Sequence, residues 1–159
     1  MPTGPVAWGW EHTSLSVADL DQALAFYQAA FGYEVIFQER GMTTQIQQIT
    51  GLPGLRCDLA QLRSPLSGHL LELIAFHDGP PDREEHAPTR VGAAHVAFKV
   101  RDLDAAVEAM RHLGAEMIGE ITQFEEGRSA YLREPSGTVV ELDESQPEEE
   151  SLVEDGGAP

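Results

Sequence analysis

The feature that most constrains this chain is an internal repeat. The run His12-Thr13-Ser14-Leu15-Ser16-Val17-Ala18-Asp19-Leu20-Asp21-Gln22-Ala23 returns as His95-Val96-Ala97-Phe98-Lys99-Val100-Arg101-Asp102-Leu103-Asp104-Ala105-Ala106, at an offset of 83 residues. The shared pattern is H-x-x-[LF]-x-V-x-D-L-D-x-A. A second match follows in the same order: Gly68-His69-Leu70-Leu71-Glu72-Leu73 and Gly137-Thr138-Val139-Val140-Glu141-Leu142 both read G-x-x-x-E-L. Each half therefore opens on a histidine and closes on a glutamate. Two matches in one order read as a duplication, so the chain is expected to fold as two copies of one supersecondary unit.

Local patterning gives that unit its content. Residues 8–17 alternate apolar and polar, as a strand does. Asp19 is a favourable N-cap, and Leu20, Leu24, Tyr27 and Phe31 recur at helical spacing before Gly32, a C′ glycine. In the second half Asp102 caps and Gly114 ends a helix whose apolar face carries Leu103, Val107, Met110 and Leu113. Three strand-like runs follow each helix: 33–40, 56–63 and 69–77 in the first half, 115–123, 128–133 and 138–143 in the second. Each half reads β-α-β-β-β, an α+β class. The expected organisation is a first module over 1–77, a Pro- and charge-rich linker over 78–90, a second module over 91–143 and an acidic, disordered tail over 144–159. Residues 41–54 are an insertion in the first half alone, with the length of a lid or binding loop.

Composition narrows the partners. The chain has 159 residues, with 10 basic against 27 acidic ones, a net charge of −17. Without the acidic end from Asp143 onward the charge is still −10. No cluster of Lys and Arg exists to displace counterions from a duplex or to engage anionic lipid, so neither nucleic acid nor a membrane surface is an expected partner. No run approaches the roughly 18 apolar residues of a membrane span, and Met1-Pro2-Thr3-Gly4-Pro5 lacks the basic and apolar regions of a secretory signal. One cysteine, Cys57, permits no internal disulfide and fits a reducing compartment; the expected location is cytoplasmic.

Strand parity points to the chemistry. His12, Ser14 and Ser16 share one face of their strand, opposite Thr13, Leu15 and Val17. His95, Ala97 and Lys99 oppose Val96, Phe98 and Val100, while Glu72 and Glu141 each alternate with apolar neighbours. The apolar faces should pack on the helices and the four polar residues should look away from them. Two imidazoles and two carboxylates converging in one cup would suit zinc, nickel, cobalt, manganese or iron(II). His69 falls on the opposite strand face, His112 on an exposed helix, and His77 and His86 beside the linker; none of these is expected to be a ligand.

The paired histidine openings, the V-x-D-L-D-x-A run, Phe26-Tyr27 before Phe31-Gly32 and the Glu134-Pro135-Ser136-Gly137…Glu141-Leu142 ending resemble the vicinal oxygen chelate superfamily. The resemblance covers residues 8–143. It implies two tandem βαβββ modules forming an incomplete barrel around a metal cup, with His12, Glu72, His95 and Glu141 as the ligands. It also implies a homodimer. The His-Glu-His-Glu set is that of glyoxalase-like members, which implies a divalent ion (nickel, cobalt, zinc or manganese ahead of iron) and a lyase or isomerase. Such an enzyme would move a proton through a metal-stabilised enediolate of a small oxygen-chelating substrate. A ligand glutamate would be the base, Glu141 ahead of Glu72.

Other members remain as alternatives. Extradiol dioxygenases use two His and one Glu on iron. CoA-thioester epimerases use an extra glutamate, and Leu55-Arg56-Cys57-Asp58 offers only Asp58 in that region. Bleomycin-resistance-like proteins bind a drug without a metal, and Trp8, Trp10 and Phe124 could serve as aromatic walls. An anionic substrate would need a cation near the cup: Lys99 has the right parity, with Arg56 and Arg128 as further candidates.

Overall fold

The computed structural model describes residues 7, 9–79, 88–89, 91–125 and 127–145. Trp8, His86 and most of the expected linker and tail lie outside these. The order is β1 (Thr13–Ser16), α1 (Leu20–Phe31), β2 (Glu34–Met42), α2 (Thr44–Thr50), β3 (Arg56–Arg63) and β4 (Leu70–His77). The second half follows with β5 (His95–Lys99), α3 (Leu103–His112), β6 (Glu116–Met117), β7 (Thr122–Gln123), β8 (Gly127–Arg133) and β9 (Val139–Ser145). No helix among the described residues is long and apolar enough to cross a membrane.

Helices α1 and α3 begin where their Asp caps require. Asp19 accepts the Gln22 N–H at 2.9 Å and Asp102 accepts the Ala105 N–H at 3.0 Å. The strands build two sheets of equivalent topology, β1-β4-β3-β2 and β5-β9-β8-β6, with β7 pairing β8. In both, the first strand lies parallel to the last and the others are antiparallel. Among the described residues no closed barrel forms. The α+β, two-module reading stands, with three differences. The run expected at 115–123 is two short strands, broken around Gly119. The inserted segment contains a helix, α2. The last strand reaches Ser145, so Glu144, placed in the tail by the sequence, is strand and accepts from Arg128 at 2.7 Å.

The turn before each final strand is also repeated. Gly68 N–H donates to Ser64 O and Gly137 N–H to Glu134 O, each at 2.8 Å, with the glycines at φ 73° and 99°. That left-handed backbone suits glycine. The side chain at the turn's start caps it in both halves: Ser64 Oγ accepts from Ser67 N–H, and buried Glu134 accepts from the N–H groups of Ser136 and Thr138.

One core joins the modules. It holds Leu15, Val17, Leu71 and Leu73 from the first sheet, Leu132, Val140 and Leu142 from the second, and the buried faces of α1 and α3. Phe31 at the end of α1 stacks on Phe98 of β5, ring centroids 3.7 Å apart. Tyr27 lies fully buried; burial, reinforced by Glu134, pushes its pKa up and keeps it protonated. A second cluster lies on the other face of the first sheet. There Ile46 of α2 packs on Leu55, Cys57, Leu59 and Ile74. Burial is the main cause raising the Cys57 thiol pKa, so this lone cysteine stays protonated and apolar in character.

Candidate metal centre

Register decides which side chains share the histidine faces. In the first sheet Ser14 sits beside Glu72, and Gln61 sits beside Glu72 on its other flank. In the second, Ala97 and Tyr131 flank Glu141 in the same way. His12 and His95 begin these rows. All four expected ligands therefore lie on the faces opposite α1 and α3, and α2 packs farther along the Glu72 face of the first sheet.

Within each half the histidine meets its glutamate. His12 Nε2 is 3.9 Å from Glu72 Oε1, and His95 Nε2 is 3.0 Å from Glu141 Oε2. The carboxylates are sheltered, with side chains 17% and 22% exposed, and the imidazoles more open at 32% and 40%. His12 also contacts Glu11 through Nδ1. An imidazole nitrogen beside a carboxylate oxygen is the donor chemistry a divalent ion takes.

The two pairs do not meet in one chain. Both sheets turn their apolar faces to the shared core, and each His–Glu pair faces outward from it. Among the described residues no group of three or more His, Cys, Asp or Glu side chains comes together that could hold a metal. Within the chain these residues form two separate His–Glu pairs rather than the single cup anticipated from the repeat. The residue types fit a divalent ion; four of them around one ion require both halves.

Three further side chains, which spacing alone does not single out, belong to these faces. Ser14 donates to Glu72 Oε1 at 2.9 Å, and Gln61 Nε2 approaches Glu72 Oε2 at 3.5 Å. The Tyr131 ring lies against His95, centroids 5.0 Å apart. Ser14 and Ala97 are equivalent in the repeat, so the bond that steadies Glu72 has no counterpart at Glu141. A third echo also becomes visible here: Ala60-Gln61-Leu62-Arg63-Ser64-Pro65 and Ala130-Tyr131-Leu132-Arg133-Glu134-Pro135 both read A-x-L-R-x-P and occupy equivalent strands.

The remaining candidates are engaged elsewhere. His69 has Thr13 Oγ1 at 3.1 Å from Nε2 and Tyr33 Oη at 3.0 Å from Nδ1, on the helix side. His77 Nε2 lies 3.2 Å from Asp58, and His112 Nδ1 lies 2.8 Å from Glu108 O. Asp58 also accepts the Gly41 N–H at 2.7 Å and pairs with Arg40 at 3.6 Å. The Gly41 N–H first, then His77 and Arg40, hold its carboxyl below the usual range against partial burial. It faces away from the His–Glu pairs and is no base for them. Arg56 pairs with Asp78, and Arg128 with Asp104 and Glu144, so neither points to the site.

Residues 9–142 match the model of the glyoxalase/bleomycin resistance protein/dioxygenase superfamily. Among curated proteins, the chain is 28% identical to a 2-epi-5-epi-valiolone epimerase from Actinomyces sp, across 87% of this chain and 80% of that one. It is 27% identical to a lactoylglutathione lyase from Haemophilus influenzae, across 85% and 91%. Among solved structures, a glyoxalase family protein from Bacillus cereus superposes with a TM-score of 0.78 at 25% identity, over 91% and 99% of the two chains. The fosfomycin resistance protein FosX from Listeria monocytogenes, solved with Mn(II), superposes with a TM-score of 0.61 at 22% identity, over 89% and 94%. Two of these relatives are named as enzymes of different activity, and one superfamily member binds a divalent metal. With this fold and this match along most of its length, the chain belongs to the glyoxalase/bleomycin resistance protein/dioxygenase superfamily.

Proposed function

We propose that this protein is a divalent-metal-dependent lyase or isomerase that moves a proton on a small substrate carrying two adjacent oxygens. The observation that carries the reading is the duplicated pair: His12 with Glu72 and His95 with Glu141, each Nε2 within 3.9 Å of a carboxylate oxygen on the outward face of its sheet. These four residues would hold the ion. Bound there, it would supply Lewis acidity to the substrate oxygens and offset negative charge arising beside them.

The chain's own residues then divide the work. Glu72, tethered by Ser14 and approached by Gln61, stays in place and anchors. Glu141 has His95 as its partner and Ala97 where a second donor would sit, so it is free to swing. It serves as the base, taking a proton from the carbon beside the substrate carbonyl and returning it to that or the neighbouring carbon. Tyr131, packed on His95, holds the imidazole's orientation.

A homodimer completes the site in this reading. β1 and β5, which follow His12 and contain His95, are the edge strands of their sheets. Unpaired edges invite pairing. The β1 edge of one copy beside the β5 edge of another would join the two half-sites, twice per dimer by symmetry. The named epimerase and lyase relatives support an enzyme. A second reading, a metal-free small-molecule binder, draws on exposed aromatics: Trp10 is 82% and Phe124 57% exposed.

The test is turnover of 2-oxoaldehyde hemithioacetals and 2-oxoacyl compounds by protein loaded with Ni(II), Co(II), Zn(II) or Mn(II), before and after chelation. Turnover with at least one metal, lost on chelation and regained on reloading, is expected. Tight binding of a small molecule by metal-free protein with no turnover under any metal would favour the binder.

A further inference from the structure

We infer that α2 is a hinged lid over an apolar subsite on the Glu72 face, and that this subsite takes the aliphatic chain of a small neutral amphiphile. The inference needs no metal. Beyond Glu72 and Gln61 the outward face of the first sheet turns apolar: Ile74 and Leu59 come next, then Phe76 and Cys57. Each pleat is about 7 Å long, so the strip runs roughly 14 Å from the Glu72 row. α2 covers it through Ile46, its single buried residue, which seats against Leu55, Cys57, Leu59 and Ile74. An aliphatic side chain of the protein thus already fills the place. The strip belongs to the first half alone. Beyond Glu141 the matching residues are Asp143 and Ser129, bonded to each other at 3.1 Å.

The attachments of α2 are few. Thr43 at its start makes no side-chain cap, and Gln47 Nε2 ties the helix to Leu55 O at 3.0 Å. The strand before it is pinned as far as Met42, which pairs with Cys57, and the Gly41 N–H is bonded to Asp58. The segment after it is freer. Gly51 and Gly54 hold left-handed backbone at φ 70° and 80°, with open space where a Cβ would stand. Glycines of this kind let a seven-residue helix swing about its end. The polar end of the strip sets the head group. Ser14, Gln61 and Glu72 offer a hydroxyl, an amide and a carboxylate there. A hydroxyl head can donate to the carboxylate and accept from the amide, whereas an anionic head would be repelled by Glu72.

Cys57 is the chain's only cysteine and lies fully buried in this strip, so its modification reports opening of the lid. Full-length, metal-free protein in the presence of a chelator would be reacted with an aromatic disulfide reagent, in native buffer and in sub-denaturing urea. Wild type, Gln47→Ala and Val107→Ala would be compared. Gln47→Ala cuts the tie without uncovering the thiol, and Val107→Ala loosens the core at α3, away from the lid. Local opening gives modification at a rate that low urea leaves unchanged. The rate should be about fivefold higher in Gln47→Ala, the size of one hydrogen bond, and unchanged in Val107→Ala. Saturating 1-octanol should slow it at least about tenfold by filling the strip, and ethanol at the same concentration should not. Modification that rises with urea as global unfolding does, or equal acceleration by both variants, would overturn the lid. Octanol acting no differently from ethanol would overturn the subsite. None of these outcomes depends on metal uptake.

Discussion

The Ser14 hydroxyl donates to Glu72 Oε1 at 2.9 Å, and the place of Ser14 in the second half is taken by Ala97, which donates nothing. The repeat supplies two glutamates of the same type, and this difference, with Gln61 beside Glu72 where Tyr131 flanks Glu141, distinguishes them. A carboxylate tied by a neighbour is a good anchor, and one without such a tie is a good mobile base. Glu141→Gln should abolish turnover while the loaded protein still binds substrate; Glu72→Gln should act mainly on metal retention. Single-turnover assays and metal content on both variants separate the roles. Full turnover by Glu141→Gln would refute the assignment.

Removal of the tether itself is a milder perturbation. A residue that orients a ligand typically accounts for 10–100-fold in metal affinity. Ser14→Ala is expected to weaken metal binding about tenfold, at the low end, because Gln61 still approaches the other oxygen. Competition with a metal indicator dye reads this directly. Ala97→Ser, which would install the equivalent donor beside Glu141, should slow turnover by restraining the base.

Stability should depend on residues away from the site. Glu134 is almost fully buried and accepts the N–H groups of Ser136 and Thr138 in the turn before β9. Glu134→Ala leaves both donors unpaired and should cost about 3 kcal/mol. Urea denaturation measures the loss. Metal affinity of the folded fraction should be unchanged, since the side chain lies on neither half-site.

Asp58 gives a pH dependence with a defined sign. Its carboxyl is held below the ordinary value by Gly41, His77 and Arg40. A depressed folded pKa contributes stability above the unfolded value, and that contribution is lost as pH falls through the folded one. Part of the acid destabilisation below pH 3.8, the ordinary value, should therefore vanish in Asp58→Asn. At neutral pH the same variant should melt about 2–4 °C lower. Thermal melts from pH 7 to pH 3 test both. A variant that keeps the wild-type acid slope would show that this network carries no net stability.

Much of the fold is legible in the sequence because its signals are local. Asp19 and Asp102 announce helices that cap as expected, and alternation around Glu72 and Glu141 assigns their faces. What is not legible depends on tertiary relations. α2 is seven residues long and is held by burial of Ile46 on the sheet, with no apolar stripe of its own to betray it. Gln61 and Tyr131 join the site only because β3 and β8 adopt a particular register. The relation of the half-sites is hidden for the same reason. Parity says that each pair faces away from its helix, but one core shared by both sheets is what turns the pairs apart.

The most direct test is a metal measurement on a forced heterodimer. One copy would carry His12→Ala and Glu72→Ala, the other His95→Ala and Glu141→Ala, with different tags so that only the mixed dimer is recovered. If the centre is completed between copies, one intact four-ligand site survives, and elemental mass spectrometry should find about one divalent ion per heterodimer, by symmetry. Each variant purified alone should hold almost none. A heterodimer without metal, beside a wild type that binds it, would contradict the shared centre.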